Sequence, residues 1–289
     1  MNPVDVAATQ IEDHWIDHPE GRLFCRSWTP AVATARAPLA SPIVLFHDSL
    51  GCVDLWREFP RRLAQECGRR VIAYDRLGFG RSDPRPHRPS LDFVAQEASR
   101  YFPQLRQQLG LARFVAMGHS VGGGMAIHCA ALFADGCDAL ITESAQVFAE
   151  DKTLASIREA RTQFQDPDQV RRLARYHGAK AEWVLDAWTE NWLDPGFAKW
   201  SLLDVLPRVA CPVLALHGEH DEYGSLRHPT LIGEHVTGRS RVTILPDTAH
   251  VPHREREEGV LQLLREFLAA QEPGRQRNGP ALGREGGAG

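Results

Sequence analysis

What most restricts the folds open to this chain is a set of short segments with an unbroken apolar centre. They are PIVLFH (42–47), RRVIAYD (69–75), FVAMGH (114–119), CDALITES (137–144) and PVLALHG (212–218), with RVTILPD (241–247) reading as one further strand. Each is too short for a buried helix and too apolar for a strand with one wet face. Helical periodicity fills most of the intervals, as in LWREFPRRLAQEC (55–67) and in LDFVAQEASRYFPQLRQQL (91–109), which Pro103 should interrupt or kink. Strands apolar on both faces that alternate with helices predict a parallel sheet covered by crossover helices.

The alternation stops between residues 145 and 206, where TLASIREARTQF, QVRRLARYH and AEWVLDAWTENWL read as helices only. It resumes with a helix near 226–237 and a last one near 255–270. The simplest organisation is one α/β core (1–144 and 207–271), a helical cap inserted at 145–206, and a Gly-, Arg- and Pro-rich tail (272–289) expected to be disordered. Residues 1–12 read as a loose lead-in and HWIDHPEGRLFCRSW as an antiparallel hairpin turning at 19–21. The Ala- and Pro-rich stretch 30–42 reads as a surface loop.

Charge and cysteine usage narrow the function. With 33 basic against 37 acidic residues there is no broad positive field to hold a nucleic acid. No apolar run approaches the ~18 residues of a membrane span, and MNPVDVAATQIEDHW lacks the pattern of a secretory leader, so the expectation is a soluble, cytoplasmic protein. The six cysteines are scattered without a CxxC pair, which suits buried free thiols better than disulfides or a metal site. The expected partner is a small-molecule substrate, with no metal or organic cofactor, for a monomer or homo-oligomer.

The chemistry centres on GHSVG (118–122), a G-x-S-x-G match with a strand before it and a helix after it. A serine on so sharp a turn leaves no room for neighbouring side chains, which the glycines at 118 and 122 answer. The helix start supplies free N–H groups for an oxyanion. Ser120 is therefore the candidate nucleophile and the Val121 N–H one oxyanion donor. The P-loop alternative lacks its lysine.

A serine needs a base, and the base an orienting acid. His250 stands in the loop after RVTILPD and is preferred to His253, which reads as packing or pocket rim. Asp221, in LALHGEHDEYGS, is the preferred acid, with Glu143 in LITESA as the alternative. In PIVLFHDSLG the Ser49 N–H is the candidate second oxyanion donor, and His47 a brace for that loop. Asp48, Leu50, His119, Phe148, Trp188, Trp192 and Tyr223 are candidate pocket residues.

Beyond GHSVG, the stretch YDRLGFGRSDP (74–84) makes the chain resemble the α/β-hydrolase superfamily over roughly residues 14–270. The resemblance implies an eight-stranded, mostly parallel sheet with strand two antiparallel, flanked by helices, and a helical cap after strand six. It also implies mainly structural roles for Asp75 and Arg76 and turn-shaping ones for Gly78 and Gly80. The cap and LLDVLPRVACPVLALHGEHD resemble the valacyclovir-hydrolase-like branch of esterases. That branch's amino-ester hydrolase carries an acid just after the nucleophile to hold an ammonium; Val121 stands here, which argues against α-amino esters.

The leading expectation is a serine hydrolase of a carboxylic ester, lactone or thioester, of carboxylesterase type. The alternative is a carbon–carbon bond hydrolase of the ring-cleavage-product type using the same triad, which a pocket arginine engaging a carboxylate would favour. A ligand receptor on the same fold is a remote third reading. Trp183, Trp188, Trp192 and Trp200 lie in the insertion, either gluing the cap to the body or walling an apolar pocket.

Overall fold

The computed structural model describes residues 9–31 and 40–271. The tail expected to be disordered, most of the 30–42 loop and the first eight residues of the lead-in lie outside them.

The strands are β1 (Gln10–Ile16), β2 (Leu23–Thr29), β3 (Ile43–Phe46), β4 (Val71–Tyr74), β5 (Phe114–His119), β6 (Cys137–Glu143), β7 (Val213–Gly218) and β8 (Ser240–Leu245). They form one eight-stranded sheet in the order β1-β2-β4-β3-β5-β6-β7-β8. β2 runs antiparallel to both its neighbours, and every other pair is parallel. Because β1 starts at Gln10, the lead-in is shorter than the sequence suggests; pairing with β2 captures these polar residues along an exposed edge.

The central strands are buried on both faces, as their apolar runs require. Side chains alternate between two cores. Val44, Phe46, Ile72, Ala116 and Leu140 face one way, while Ile43, Leu45, Val71, Val115 and Ile141 face the other. α1 (Phe59–Cys67) covers the second face together with the C-terminal helix. The first face is covered by α2 (Phe93–Gln96), a π-helical turn (Glu97–Tyr101), α3 (Phe102–Gln108) and α4 (Val121–Leu132). The irregularity expected at Pro103 falls just ahead of it. Pro103 has no N–H to bond back into the preceding turn, and the Phe102 N–H reaches five residues back to the Glu97 carbonyl.

Between β6 and β7 the chain forms α5 (Asp151–Gln163), α6 (Pro167–His177) and α7 (Ala181–Trp192), the last two joined by a short 3₁₀ turn (Gly178–Lys180). These lie over the C-terminal ends of the parallel strands, where ligands bind in such sheets. α8 (Arg227–His235) follows β7. α9 (Pro252–Glu255) and α10 (Glu257–Ala269) close the chain, the last packing Val260, Leu261 and Leu264 into the second core.

Candidate active site

Ser120 occupies the turn between β5 and α4 at φ 55°, ψ −127°. A non-glycine residue persists there only when its surroundings hold it. Its N–H donates to the Glu143 carbonyl at 2.8 Å and its carbonyl accepts the Gly123 N–H at 2.8 Å. A Cβ on Gly118 would collide with the Gly122 carbonyl, and one on Gly122 with the Phe46 carbonyl. Close approach of three backbone segments, rather than freedom of φ, is what these two glycines provide. The Val121 N–H, in the first turn of α4, has no protein acceptor among the described residues.

Asp221 and His250 lie in the loops after β7 and β8. His250 Nδ1 donates to Asp221 Oδ1 at 2.8 Å. The same oxygen accepts the N–H groups of Tyr223 at 2.8 Å and Gly224 at 3.1 Å. The other, Oδ2, is buried without a hydrogen bond, 3.4 Å from Nε2 of the fully buried His217. Burial by itself would raise the Asp221 pKa; the bond to His250 and the charges of His250 and His217 bring it down to about 2. Burial would lower that of His250, but Asp221 more than offsets it, and His250 is raised. With Nδ1 donating, Nε2 is the free basic nitrogen. The Ser120 hydroxyl is turned elsewhere. It donates to Gln146 Oε1 at 3.4 Å and makes no hydrogen bond to His250 among the described residues.

Glu143, the alternative acid, does not face His250. Its Oε1 accepts the His253 N–H at 2.5 Å and its Oε2 lies 2.8 Å from His253 Nδ1. His253 shares a small cavity with Asp48 and His119. His119 Nε2 donates to the His250 carbonyl at 2.8 Å, and burial pulls its pKa down to about 4, so the ring is neutral.

The loop 47–51 carries Ser49, whose N–H has no protein acceptor among the described residues. The Leu50 carbonyl accepts from His177 Nε2 at 3.0 Å, while His177 Nδ1 accepts the Gly80 N–H at 2.9 Å. One imidazole at the end of α6 thus ties the loops at residues 50 and 80 to the helices inserted between β6 and β7. Ser49 lines a cavity with Arg76, Phe79, Phe93, Trp188 and Trp192. Trp188 also approaches Tyr223 (ring centroids 6.0 Å), which in turn lies 4.8 Å from the His250 ring. Phe148 packs instead on His228 at 4.8 Å, with the Arg227 guanidinium over its face, and lines neither cavity. Trp183 fills the space a Cβ on Gly78 would need and so joins the inserted helices to the body, whereas Trp200 stacks on Phe197 within the insertion at 5.1 Å.

The start of α5 is fastened to the loop bearing Asp221. Lys152 Nζ donates to the Asp221 carbonyl at 2.5 Å, Thr153 Oγ1 to that of Tyr223 at 2.6 Å and Ser156 Oγ to that of Glu222 at 2.6 Å. Glu150 accepts the Ser225 N–H at 2.6 Å. Sequence reasoning singled out none of Gln146, His177, His217 or Lys152, since their partners lie in segments far away along the chain. Among the described residues no group of three His, Cys, Asp or Glu side chains could hold a metal ion, and no helix is long and apolar enough to cross a membrane.

Comparison with known proteins places this geometry in a family. The family model described as the alpha/beta hydrolase fold matches residues 41–257. The chain belongs to the α/β-hydrolase family. It is 31% identical over 118 residues to a proline iminopeptidase of Lactobacillus delbrueckii subsp. lactis, covering 41% of this chain and 38% of that protein. The chain therefore matches well under half of that relative's length. It is 26% identical over 206 residues to the serine hydrolase BPHL of Homo sapiens, 68% of this chain and 69% of the other. Among solved structures, a proline iminopeptidase of Mycobacterium smegmatis superposes with a TM-score of 0.71 at 22% identity, covering 90% of this chain and 98% of that one.

Proposed function

We propose that the protein is a serine hydrolase that cleaves a carboxylic ester, or a lactone or thioester, of a small and largely apolar substrate. The observation that carries this is the 2.8 Å bond from His250 to Asp221, formed at the same end of the sheet as the strained Ser120 turn. The Ser120 hydroxyl leaves Gln146 and gives its proton to His250 Nε2 as its oxygen attacks the substrate carbonyl. Asp221 holds the ring in the required tautomer and stabilises the imidazolium. The N–H groups of Val121 and Ser49 receive the oxyanion. His250 protonates the leaving alcohol, and water, deprotonated by His250, then releases the acid from the acyl-enzyme. Protein groups and water carry every step.

The apolar substrate follows from Phe79, Phe93, Trp188 and Trp192 around the cavity beside Ser49. The arginine in that wall, Arg76, is committed to the Asp48 carbonyl at 2.8 Å and to His47 Nε2 at 3.3 Å. Two of its three guanidinium nitrogens are thus engaged within the protein, and the vinylogous diketone acid below tests whether the third can serve the carbon–carbon alternative. The test is a panel of p-nitrophenyl esters, a vinylogous diketone acid and prolyl 4-nitroanilide, with a fluorophosphonate probe on wild type and Ser120→Ala. Ester turnover and probe labelling, both lost in Ser120→Ala, are expected. Labelling at another serine, or stoichiometric binding without turnover, would overturn the reading.

A further inference from the structure

The loop that carries Ser49 is held by more than its own turn. The Asp48 carbonyl accepts three donors: Arg76 Nη2 at 2.8 Å, His47 Nδ1 at 2.8 Å and the Gly51 N–H at 3.2 Å. His47 is itself fixed, because its Nε2 accepts the Arg76 N–H at 3.1 Å and Arg76 Nε at 3.3 Å. With two donors on Nε2, the ring proton must sit on Nδ1, where it points at the Asp48 oxygen. Both side chains are buried, and no carboxylate lies within ion-pair distance of Arg76 among the described residues.

The Asp48 carbonyl belongs to the same peptide group as the Ser49 N–H. No cis peptide occurs among the described residues, so that C=O and N–H point in opposite directions. Three donors on the oxygen fix the plane and aim the N–H away from Arg76. A guanidinium on the oxygen also draws electron density through the amide, which makes the N–H a stronger donor. That N–H has no protein acceptor among the described residues, and its loop abuts the helix start that presents Ser120, where a Cβ on Gly122 would collide with the Phe46 and His47 carbonyls.

We infer that Arg76 and His47 are positioning residues for the oxyanion hole, holding and polarising the Asp48–Ser49 peptide so that its N–H meets the charge developing on the substrate carbonyl. This rests on the esterase reading above and adds a role to Arg76 beyond bracing a loop. The effect belongs to the tetrahedral state, where the oxygen carries charge, and is small for the planar substrate.

The experiment compares wild type with Arg76→Met, Arg76→Lys and His47→Asn, each checked for cooperative thermal unfolding. Arg76→Met should lower kcat about 10- to 100-fold with KM little changed, below the ~10²–10³-fold cost of deleting an oxyanion donor outright. Affinity for a trifluoromethyl ketone, which forms a charged tetrahedral adduct, should fall in step with kcat/KM; affinity for the planar methyl ketone should not. The acyl-enzyme carbonyl stretch should move to higher wavenumber, and Arg76→Lys should recover part of each loss. If Arg76→Met does not fold, Arg76→Lys and His47→Asn carry the same comparison. Equal losses for both ketones, or an unmoved carbonyl stretch, would show that the two residues only scaffold the loop and would overturn the inference. Absence of an acyl-enzyme in the wild type itself would instead defeat the esterase reading, and this inference with it.

Discussion

His250 and Asp221 stand 29 residues apart in the chain, yet the Nδ1 of one lies 2.8 Å from the Oδ1 of the other. Adjacent parallel strands deliver both. The bond fixes the imidazole tautomer, so Asp221→Asn, which can donate to Nδ1 and reverse it, should reduce kcat by about 10⁴-fold while leaving the fold intact. Steady-state ester kinetics with a thermal-unfolding control provide the check. Glu143 offers no substitute, because both its oxygens are engaged by His253. Near-normal turnover in Asp221→Asn would remove Asp221 from the mechanism.

The pH dependence of kcat/KM carries the sign of the His250 shift. Burial opposes protonation of this ring, but the Asp221 bond and charge outweigh it, so its pKa is raised. The base form is therefore lost at higher pH than for an ordinary histidine. The acid limb should have its midpoint above ~6.5 and move down in the residual activity of Asp221→Asn. A wild-type midpoint below that of free imidazole would contradict the pairing.

Gln146 competes with His250 for the Ser120 proton. The bond is long, 3.4 Å, and so weak. Gln146→Leu removes the competing acceptor and should raise the rate of fluorophosphonate labelling about two- to five-fold, the worth of about 0.5–1 kcal/mol. A slower rate would mean that Gln146 assists the reaction.

Trp188 stands between the cavity wall and Tyr223. Trp188→Ala should open that wall and shift the acyl-length optimum upward, raising the octanoate-to-acetate ratio of kcat/KM about ten-fold or more. An unchanged ratio would return Trp188 to the role of cap glue.

Acid should destabilise the protein below about pH 6.5, although Asp75, pushed up to about 6 by burial, takes up a proton in the folded state over the same range and offsets part of the loss. Burial holds His119 and His128 down to about 4, far below an unfolded histidine near 6.5. The unfolded chain then binds more protons between those values, so stability is complete above ~6.5 and falls as pH drops. Each ring should cost on the order of 2 kcal/mol at pH 5. Thermal unfolding from pH 8 to pH 5 measures this, and His128→Asn should flatten the curve; a flat wild-type profile would contradict it.

Much of the architecture was legible because it is written locally. Continuous apolar runs announced the buried strands, and the glycines about Ser120 announced the elbow that φ 55° realises. Spacing placed His250 and Asp221 in the loops after β8 and β7. What escaped was tertiary. Nothing in LITESAQ says that Glu143 turns to His253 while Gln146 accepts a hydrogen bond from the Ser120 hydroxyl. The aromatic content of the cap was visible, but its division between Trp183 against Gly78 and Trp188 beside Tyr223 depends on how α7 docks. Pro103 signalled a disturbed helix, yet the strain was taken up by the residues before it.

The grip of α5 on residues 221–225 limits how the enclosure can open. Lys152, Thr153, Ser156 and Glu150 fasten the first turns of the insertion to the very loop that orients His250. Were this corner to swing outward, His250 would lose its contact with Asp221. The far side is fastened as well, through His177 at the end of α6 to the Leu50 carbonyl and the Gly80 N–H, so that opening at either corner breaks hydrogen bonds to the body.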